Sequence, residues 1–273
     1  MINLPNDKPP KQPRRRVRSD KGEIRATPRD LACIQWIAEM YAANGEHIRR
    51  LLSRYPDPDH PPAKKLVSPS TTREQISRWR RAGWISYKRV LATGPGWAYV
   101  TRRGLQLVDL DGVFLAKAPS SKRLDHIYAV NQVRLWFDTE FDYNWQSERL
   151  YLADLELKRG ESSGPIPDGI IYPNGRRTAL EIQISEIKGR EWDRKLRALL
   201  NAYRQTPGSY GYEKNFSSIW VYVPTQELKD AAEKSRAKFS EDDQARIGIG
   251  LEQGLVLPDA WAEATKHRKT VKP

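Results

Sequence analysis

Apolar residues in the first part of the chain recur at helical spacing. Leu31, Ile34 and Ile37 lie three positions apart, which predicts a helix with one apolar face. Thr27 followed by proline is a typical helix start, because threonine caps free N–H groups and proline fits the first turn. We expect this helix to end near Asn44, and a second helix to follow over 46–54.

A third helix is predicted from Thr71, which forms a capping-box pattern with Glu74. Ile76 and Trp79 lie on its inner face, and Gly83 is placed to end it. After Gly83 the spacing of apolar residues changes from that of a helix to that of a strand.

A hairpin follows the third helix. The segments 84–90 and 97–100 are predicted strands on either side of a Gly-Pro-Gly turn, and Thr101 caps a further short helix. Three helices followed by a hairpin is the element order of a winged helix-turn-helix. We predict this domain for residues 28–110.

The second part alternates between helical and strand patterns, which predicts an α/β domain over residues 124–253. A linker over 111–123 joins it to the first domain, and a tail covers 254–273. The fold class is therefore α/β overall. The predicted elements of the second domain are a helix over 124–139, strands near 147–156, 167–172 and 177–184, a helix over 188–205, a strand over 218–223, a helix to 238 and a strand over 245–250.

Charge is distributed unevenly between the two parts. Of the net charge of +13 carried by 273 residues, all lies in residues 1–125, which contain 25 Lys and Arg against 12 Asp and Glu. Residues 126–273 contain 22 of each. A basic half joined to a neutral half is typical of nucleic-acid binding, because neutralised phosphates release counterions. A membrane would attract the same charge, but no amphipathic helix with a large apolar face accompanies it, so double-stranded DNA is the favoured partner.

Residues 1–27 form a basic, proline-rich arm in which Arg14, Arg15 and Arg16 follow one another. The arm has too little apolar surface to offset the entropy cost of folding, so we expect it to be disordered. It is interpreted either as an arm that lies on DNA or as a solvated tail. Its composition favours neither.

Polar and basic residues of the predicted third helix point away from its apolar face. A helix in the major groove contacts bases and phosphates with arginine, glutamine and hydroxyl groups. The alternative is a solvated face on a winged helix that binds protein, and the uneven charge favours DNA. Trp84 and Trp97 are assigned to packing of the hairpin and core. The candidate DNA-binding residues are Thr72, Arg73, Gln75, Arg78, Arg80 and Arg81 on this helix and Lys88 and Arg89 on the hairpin.

The second part contains a hairpin with opposed acidic residues. Its sequence is PDGIIYPNGRRTALEIQIS over 167–185, and Asn174 with the next glycine is a strong signal for a two-residue turn. With this turn, paired positions sum to 349 and Asp168 lies opposite Glu181. Gln183 shares a face with Glu181, because side chains alternate along a strand. Opposed carboxylates predict a divalent-cation site.

Pro167-Asp168 followed by Glu181-Ile182-Gln183 resembles the PD-(D/E)xK nuclease motif, and the predicted element order is similar to that fold. The resemblance implies that Asp168 and Glu181 bind Mg²⁺, with Glu148 as the candidate third acid. It also implies that the third position of the motif, here Gln183, supports the attacking water.

The sequence departs from this motif where lysine is usual. Gln183 cannot supply a positive charge to the transition state, which weakens catalysis without excluding it. Lys188 or Lys195 on the following helix is the candidate to supply the charge instead.

The order of segments across residues 27–250 resembles the replication-relaxation family of actinobacterial plasmids and integrative elements. The resemblance is carried by TPRDLACIQWIAEMYAANGEHIRRLL, AGWISYKR, GWAYVTRRGLQLV, DHIYAVNQVRLWF, SER, PDG and ALEIQIS. It implies a protein of a mobile genetic element that acts on DNA in plasmid replication, in DNA relaxation or in regulation, including transcription. It leaves open whether the second half cuts DNA.

Other site chemistries lack their residues in this sequence. The four histidines and one cysteine do not have zinc-ligand spacing, and no Walker-type loop is present to bind a nucleotide cofactor. Cys33 is predicted to be a core residue. His126, Asn131 and Arg134 share one face of the helix over 124–139 and are interpreted either as a polar rim of the acidic site or as a solvated face.

Two functions stay open at this level. One is a regulator or initiator that binds DNA and keeps the nuclease-like half as a scaffold, and the other is a Mg²⁺-dependent endonuclease or nickase. The start of the chain is polar and has no signal-peptide pattern, so a bacterial cytoplasmic protein without a membrane partner is expected. Winged helices often contact paired half-sites, so a homodimer is an open expectation.

Overall fold

The computed structural model describes residues 24–55, 66–141, 144–156, 165–204 and 216–252. These residues form a mixed α/β structure with two sheets. The first part contains α1 (Pro28–Glu39), β1 (Ala43–Asn44), α2 (Gly45–Arg54), α3 (Pro69–Arg81), β2 (Ile85–Arg89), β3 (Gly96–Val100) and α4 (Arg102–Leu107). The second part contains α5 (Leu124–Glu140), β4 (Trp145–Ser147), α6 (Glu148–Asp154), β5 (Gly169–Ile171), β6 (Thr178–Ile182), α7 (Gly189–Arg204), β7 (Ser218–Val223), α8 (Gln226–Arg236), α9 (Glu241–Arg246) and β8 (Ile247–Leu251).

Capping residues set the helix starts in the first part. Thr27 caps α1 as predicted, and its hydroxyl and the Asp30 carboxylate form a reciprocal capping box. The predicted cap of α3 is wrong by three residues, because Ser68 rather than Thr71 caps the helix and a proline occupies its first turn. Gly83 follows α3 with a φ of +74°, which confirms its predicted capping position.

The first sheet has the strand order β1-β3-β2, and all its pairs are antiparallel. The β2–β3 hairpin is the one predicted, and it pairs Ile85 with Val100 and Arg89 with Gly96. Trp97 is buried, as expected of a packing residue.

The second sheet has the order β4-β5-β6-β7-β8. Its first three strands are antiparallel, whereas β6, β7 and β8 run parallel and are connected through α7, α8 and α9. The β5–β6 register pairs Gly169 with Leu180, which confirms the predicted sum of 349. Asn174 and Gly175 both have positive φ in the turn.

The strand predicted near 147–156 is wrong. Only Trp145–Ser147 forms a strand, and the chain then enters α6. Ser147 accepts the backbone N–H of Leu150 at 3.3 Å and thereby starts the helix. The alternating apolar residues of this segment resemble a strand, but the serine cap and burial of Tyr151 and Leu152 on one side favour a helix.

One hydrophobic cluster joins the two parts of the chain. It includes Ile37 of α1, Val133 of α5 and Leu180 of β6, so the first part packs against one face of the five-stranded sheet. Ala179 of β6 belongs instead to a cluster with Trp192 of α7 on the other face. The sheet therefore separates α7 and α8 from the first part.

A buried arginine of α6 links the two parts through polar contacts. Arg149 donates hydrogen bonds to the carbonyl oxygens of Ala38, near the end of α1, and of Phe114. Its guanidinium also lies 5.3 Å from the ring centre of Tyr41. Burial lowers the pKa of Arg149 to about 10, so it remains charged at neutral pH beside the negative end of α1.

Candidate functional site

Asp30 holds α3 against α1. Its side chain is fully buried and accepts hydrogen bonds from the Trp79 indole at 2.7 Å and from the Gln75 amide at 2.5 Å. The Arg78 guanidinium forms an ion pair with the same carboxylate at 2.7 Å. One buried carboxylate thus binds three side chains of α3.

The protonation of Asp30 follows from these contacts. Burial raises its pKa, but hydrogen bonds from the backbone of Thr27 and from Trp79 and Arg78 outweigh burial and leave the pKa below its usual value. Asp30 is therefore a carboxylate at neutral pH, with its charge matched by Arg78.

Three of the predicted DNA-binding residues do not lie on the exposed face of α3. Thr72 is buried and donates its hydroxyl to the Ser68 carbonyl at 3.1 Å, so the prediction that it points outward is wrong. Gln75 and Arg78 are half-buried because both are bound to Asp30. Both residues lie beside Ile76 and Trp79 of the buried face, and their side chains contact α1.

The remaining basic residues of α3 and the hairpin are exposed. Arg73, Arg80 and Arg81 on α3 and Lys88 and Arg89 on β2 all lie at the surface. Ser70, Ser77, Arg73 and Arg80 recur three or four positions apart and so share the outer face of the helix. Trp84 is buried, which confirms its assignment to packing. The arginines at positions 14–16 lie outside the described residues.

Asp168 lies just beyond the last pair of the β5–β6 ladder. Its Oδ1 is 2.7 Å from Nε2 of His126 on α5, and its Oδ2 accepts the backbone N–H of Ile182 at 2.8 Å. The backbone N–H of Asp168 still donates to the Leu180 carbonyl of β6 at 2.9 Å, whereas its side chain turns towards α5.

Glu148 faces the same small cavity as Asp168. The two carboxylates, with Tyr41, Arg123 and His126, are among the residues lining a cavity of about 20 Å³, room for one water molecule or one ion. Burial and the charge of Asp168 raise the pKa of Glu148. Burial lowers the pKa of His126, but Asp168 outweighs burial and raises it above the usual value.

Glu181 and Gln183 form a second group with α7. Lys195 donates to Oε1 of Gln183 at 2.8 Å and lies 3.6 Å from Oε2 of Glu181. The expectation that a lysine of the next helix reaches this position is confirmed for Lys195. Lys188 is exposed, and its backbone N–H donates to Glu191 at the start of α7.

The predicted ligand set is therefore divided between two places. Asp168 and Glu148 meet beside α5, whereas Glu181 faces Lys195 of α7 on the other side of the sheet. Among the described residues, no group of three His, Cys, Asp or Glu side chains is arranged to hold a metal ion. The residues as placed do not fit the expected Mg²⁺ site.

The polar face of α5 is split in the same way. His126 borders the acidic cavity, as the first interpretation expects. Asn131 is buried and donates to the Ala42 carbonyl at 2.8 Å, and Arg134 pairs with Glu39 at 2.6 Å. The latter two residues thus bind the first part of the chain rather than solvent or the acidic site.

Sequence reasoning missed Asp30 and Tyr41. Asp30 shows only a capping pattern in the sequence, because its partners on α3 are more than 40 positions away. Tyr41 has a φ of +64° just after α1, a conformation that a tyrosine rarely adopts and that no sequence signal announces.

Comparison of the chain with family models, with curated proteins and with solved structures found no match. The resemblances to the replication-relaxation and PD-(D/E)xK families therefore stay predictions. In the part of the chain that the structure describes, no helix is long and apolar enough to cross a membrane.

Proposed function

We propose that this protein binds duplex DNA through the first part of the chain, with α3 in the major groove and the β2–β3 hairpin against the backbone. The element order, with β1 added to the hairpin, supports a winged helix-turn-helix.

The outer face of α3 carries this proposal. Arg73 and Arg80 lie on this face together with Ser70 and Ser77, and Arg81 is their exposed neighbour. Within the described ranges, none of these three arginines forms a hydrogen bond or ion pair, so their guanidiniums are available to phosphates or guanines. The opposite face is fixed to α1 through Asp30, which holds the helix rigidly for recognition.

The charge distribution supports the same partner. Lys88 and Arg89 extend the positive surface onto the hairpin, and the whole excess of positive charge lies in residues 1–125. The resemblance to proteins of mobile genetic elements extends this proposal to a role in replication, relaxation or their regulation.

The proposal is tested by fluorescence anisotropy of labelled duplex with the variant Arg73→Ser/Arg80→Ser/Arg81→Ser. Losing three phosphate contacts is expected to make the slope of log K against log salt less negative by roughly 2–3. The control Lys229→Ser/Lys234→Ser/Arg246→Ser removes the same charge from α8 and α9 and is expected to retain binding. A wild-type protein that binds no duplex refutes the proposal.

Cleavage of DNA by the second part is a second candidate function. The observation in its favour is Lys195, which supplies at Gln183 and Glu181 the positive charge that the motif lacks. A phosphate beside this ammonium would be oriented and its charge stabilised. The separation of Asp168 and Glu148 from Glu181 argues against cleavage. We therefore derive no reaction step through Mg²⁺.

The test of this candidate is incubation of supercoiled plasmid with the protein and Mg²⁺ or Mn²⁺. Nicking that is absent from the Asp168→Ala/Glu181→Ala variant supports cleavage. A plasmid left equally intact by wild type and variant leaves DNA binding as the function of the chain.

A further inference from the structure

The outer face of α7 carries a row of arginines. Arg190, Arg194 and Arg197 lie four and three positions apart, so they occupy one stripe of the helix, and all three are exposed. The opposite face is buried through Trp192 and Leu196. The neutral total charge of residues 126–273 therefore conceals a positive surface.

The acidic residues of α7 do not neutralise this stripe. Asp193 is bound by the Lys238 ammonium at 2.7 Å, and Glu191 accepts a backbone N–H at the start of the helix. Within the described residues, Arg190 and Arg194 form neither a hydrogen bond nor an ion pair.

Arg197 is held in place by an aromatic ring, and it shares the Asp193 carboxylate with Lys238 as an electrostatic neighbour. Its guanidinium lies 5.4 Å from the ring centre of Phe239. Stacking on an aromatic ring keeps the positive charge and limits the side-chain entropy lost when a phosphate binds.

The stripe borders one of the sites already described. The same helix supplies Lys195, which contacts Gln183 and Glu181. It also lies on the face of the five-stranded sheet opposite to α1 and α5. DNA bound at this helix is therefore a different segment from the one that α3 contacts.

We propose that Arg190, Arg194 and Arg197 form a second DNA-contacting surface, which binds the phosphate backbone of duplex DNA beside the Lys195 site. Three exposed guanidiniums share one helix face, and within the described residues Arg190 and Arg194 have no carboxylate partner. Such a face complements a polyanion rather than a neutral or basic protein surface. The inference rests on the proposed function and extends it from one DNA segment to two.

Duplex affinity is measured against salt concentration for the full-length protein and for the variant Arg190→Ser/Arg194→Ser/Arg197→Ser. The expected change in the slope of log K against log salt is roughly 2–3 towards zero. The matching triple lysine variant retains the charge and is expected to keep the wild-type slope. The control Lys229→Ser/Lys234→Ser/Arg246→Ser is also expected to keep it.

A serine variant with the wild-type slope, or a control that loses as much, overturns the inference. If the triple serine variant melts early, Arg190→Ser/Arg194→Ser decides instead, with an expected change of roughly 2. The variant of α3 is measured in parallel, so that the two proposals fail separately. Binding that depends on α3 but not on α7 removes the stripe alone, whereas a wild-type protein that binds no duplex removes the proposed function.

Discussion

Replacing Asp30 by alanine tests how the first part of the chain holds its candidate recognition helix. Asp30 is fully buried and accepts hydrogen bonds from Gln75, Arg78 and Trp79 of α3. Without the carboxylate, the Trp79 indole N–H loses its acceptor inside the core. Arg78 loses its counter-ion at the same time.

The magnitude follows from the burial of each partner. Breaking a buried ion pair costs about 3–5 kcal/mol, and a buried donor without a partner costs about 1–3 kcal/mol. Arg78 keeps 28% of its side chain exposed, so water replaces part of its lost partner. We therefore expect the lower end of the range, about 3 kcal/mol, which lowers Tm by about 6–12 °C in a protein of this size. Asp30→Asn keeps one carbonyl acceptor and should lose about half as much.

Thermal unfolding followed by circular dichroism measures this effect, with Glu74→Gln as the control because Glu74 is an exposed carboxylate on the same helix. Since the pKa of folded Asp30 is lowered, its stabilising contribution is complete above the usual carboxyl pKa and is lost as pH falls through the lowered value. The gap between wild type and Asp30→Asn should therefore shrink below about pH 4. An alanine variant that melts with the wild type at neutral pH would refute the reasoning.

Three further predictions concern packing and protonation. In Gly104→Ala the new Cβ would collide with the carbonyl oxygen of Trp84, so α4 must shift. Urea unfolding should then show a loss of about 1–3 kcal/mol in the free energy of unfolding, and an unchanged midpoint would contradict this prediction. Asn131→Ala removes the amide donor to the Ala42 carbonyl and one of the two donors to Nδ1 of His47, the other being the backbone N–H of Asn44. We expect a cost of about 1–3 kcal/mol in the same assay, and an unchanged stability would contradict this prediction. Because the pKa of His126 is raised, its stabilising contribution is complete below about pH 6.5 and is lost as pH rises through the raised value. In His126→Gln the free energy of unfolding should therefore depend less on pH over that range. A pH dependence equal to that of the wild type would contradict this prediction.

Local signals predicted much of the fold. The Asn174 turn set the β5–β6 register, and Thr27 and Gly83 marked helix ends, because each acts through its own backbone and nearest neighbours. The α6 segment failed because alternation of apolar residues is common to a strand and to a short buried helix. The hydrogen bond of the Ser147 cap and the burial of Tyr151 and Leu152 distinguish the helix from a strand.

The candidate sites were less predictable because their geometry depends on partners far along the chain. The helical spacing of residues predicted that Arg73 and Arg80 lie away from the apolar face of α3. It could not show that Arg78 is bound by a buried carboxylate of α1. In the same way, strand alternation placed Asp168 with Glu181. The last residue pair of the ladder is Gly169 with Leu180, and the Asp168 side chain turns to His126 of α5 instead.

The central claim is that the outer face of α3 lies on duplex DNA, and site-specific crosslinking tests it most directly. The only cysteine, Cys33, is buried, so Ser77→Cys places a unique accessible thiol at the middle of that face for a photoactivated crosslinker. Lys234→Cys on α8 is the matched control, because Lys234 is also exposed on a helix. We predict that the thiol at position 77 crosslinks to duplex DNA and that the one at position 234 does not. Equal crosslinking from both positions, or none from position 77 under conditions where the protein binds DNA, would contradict the account.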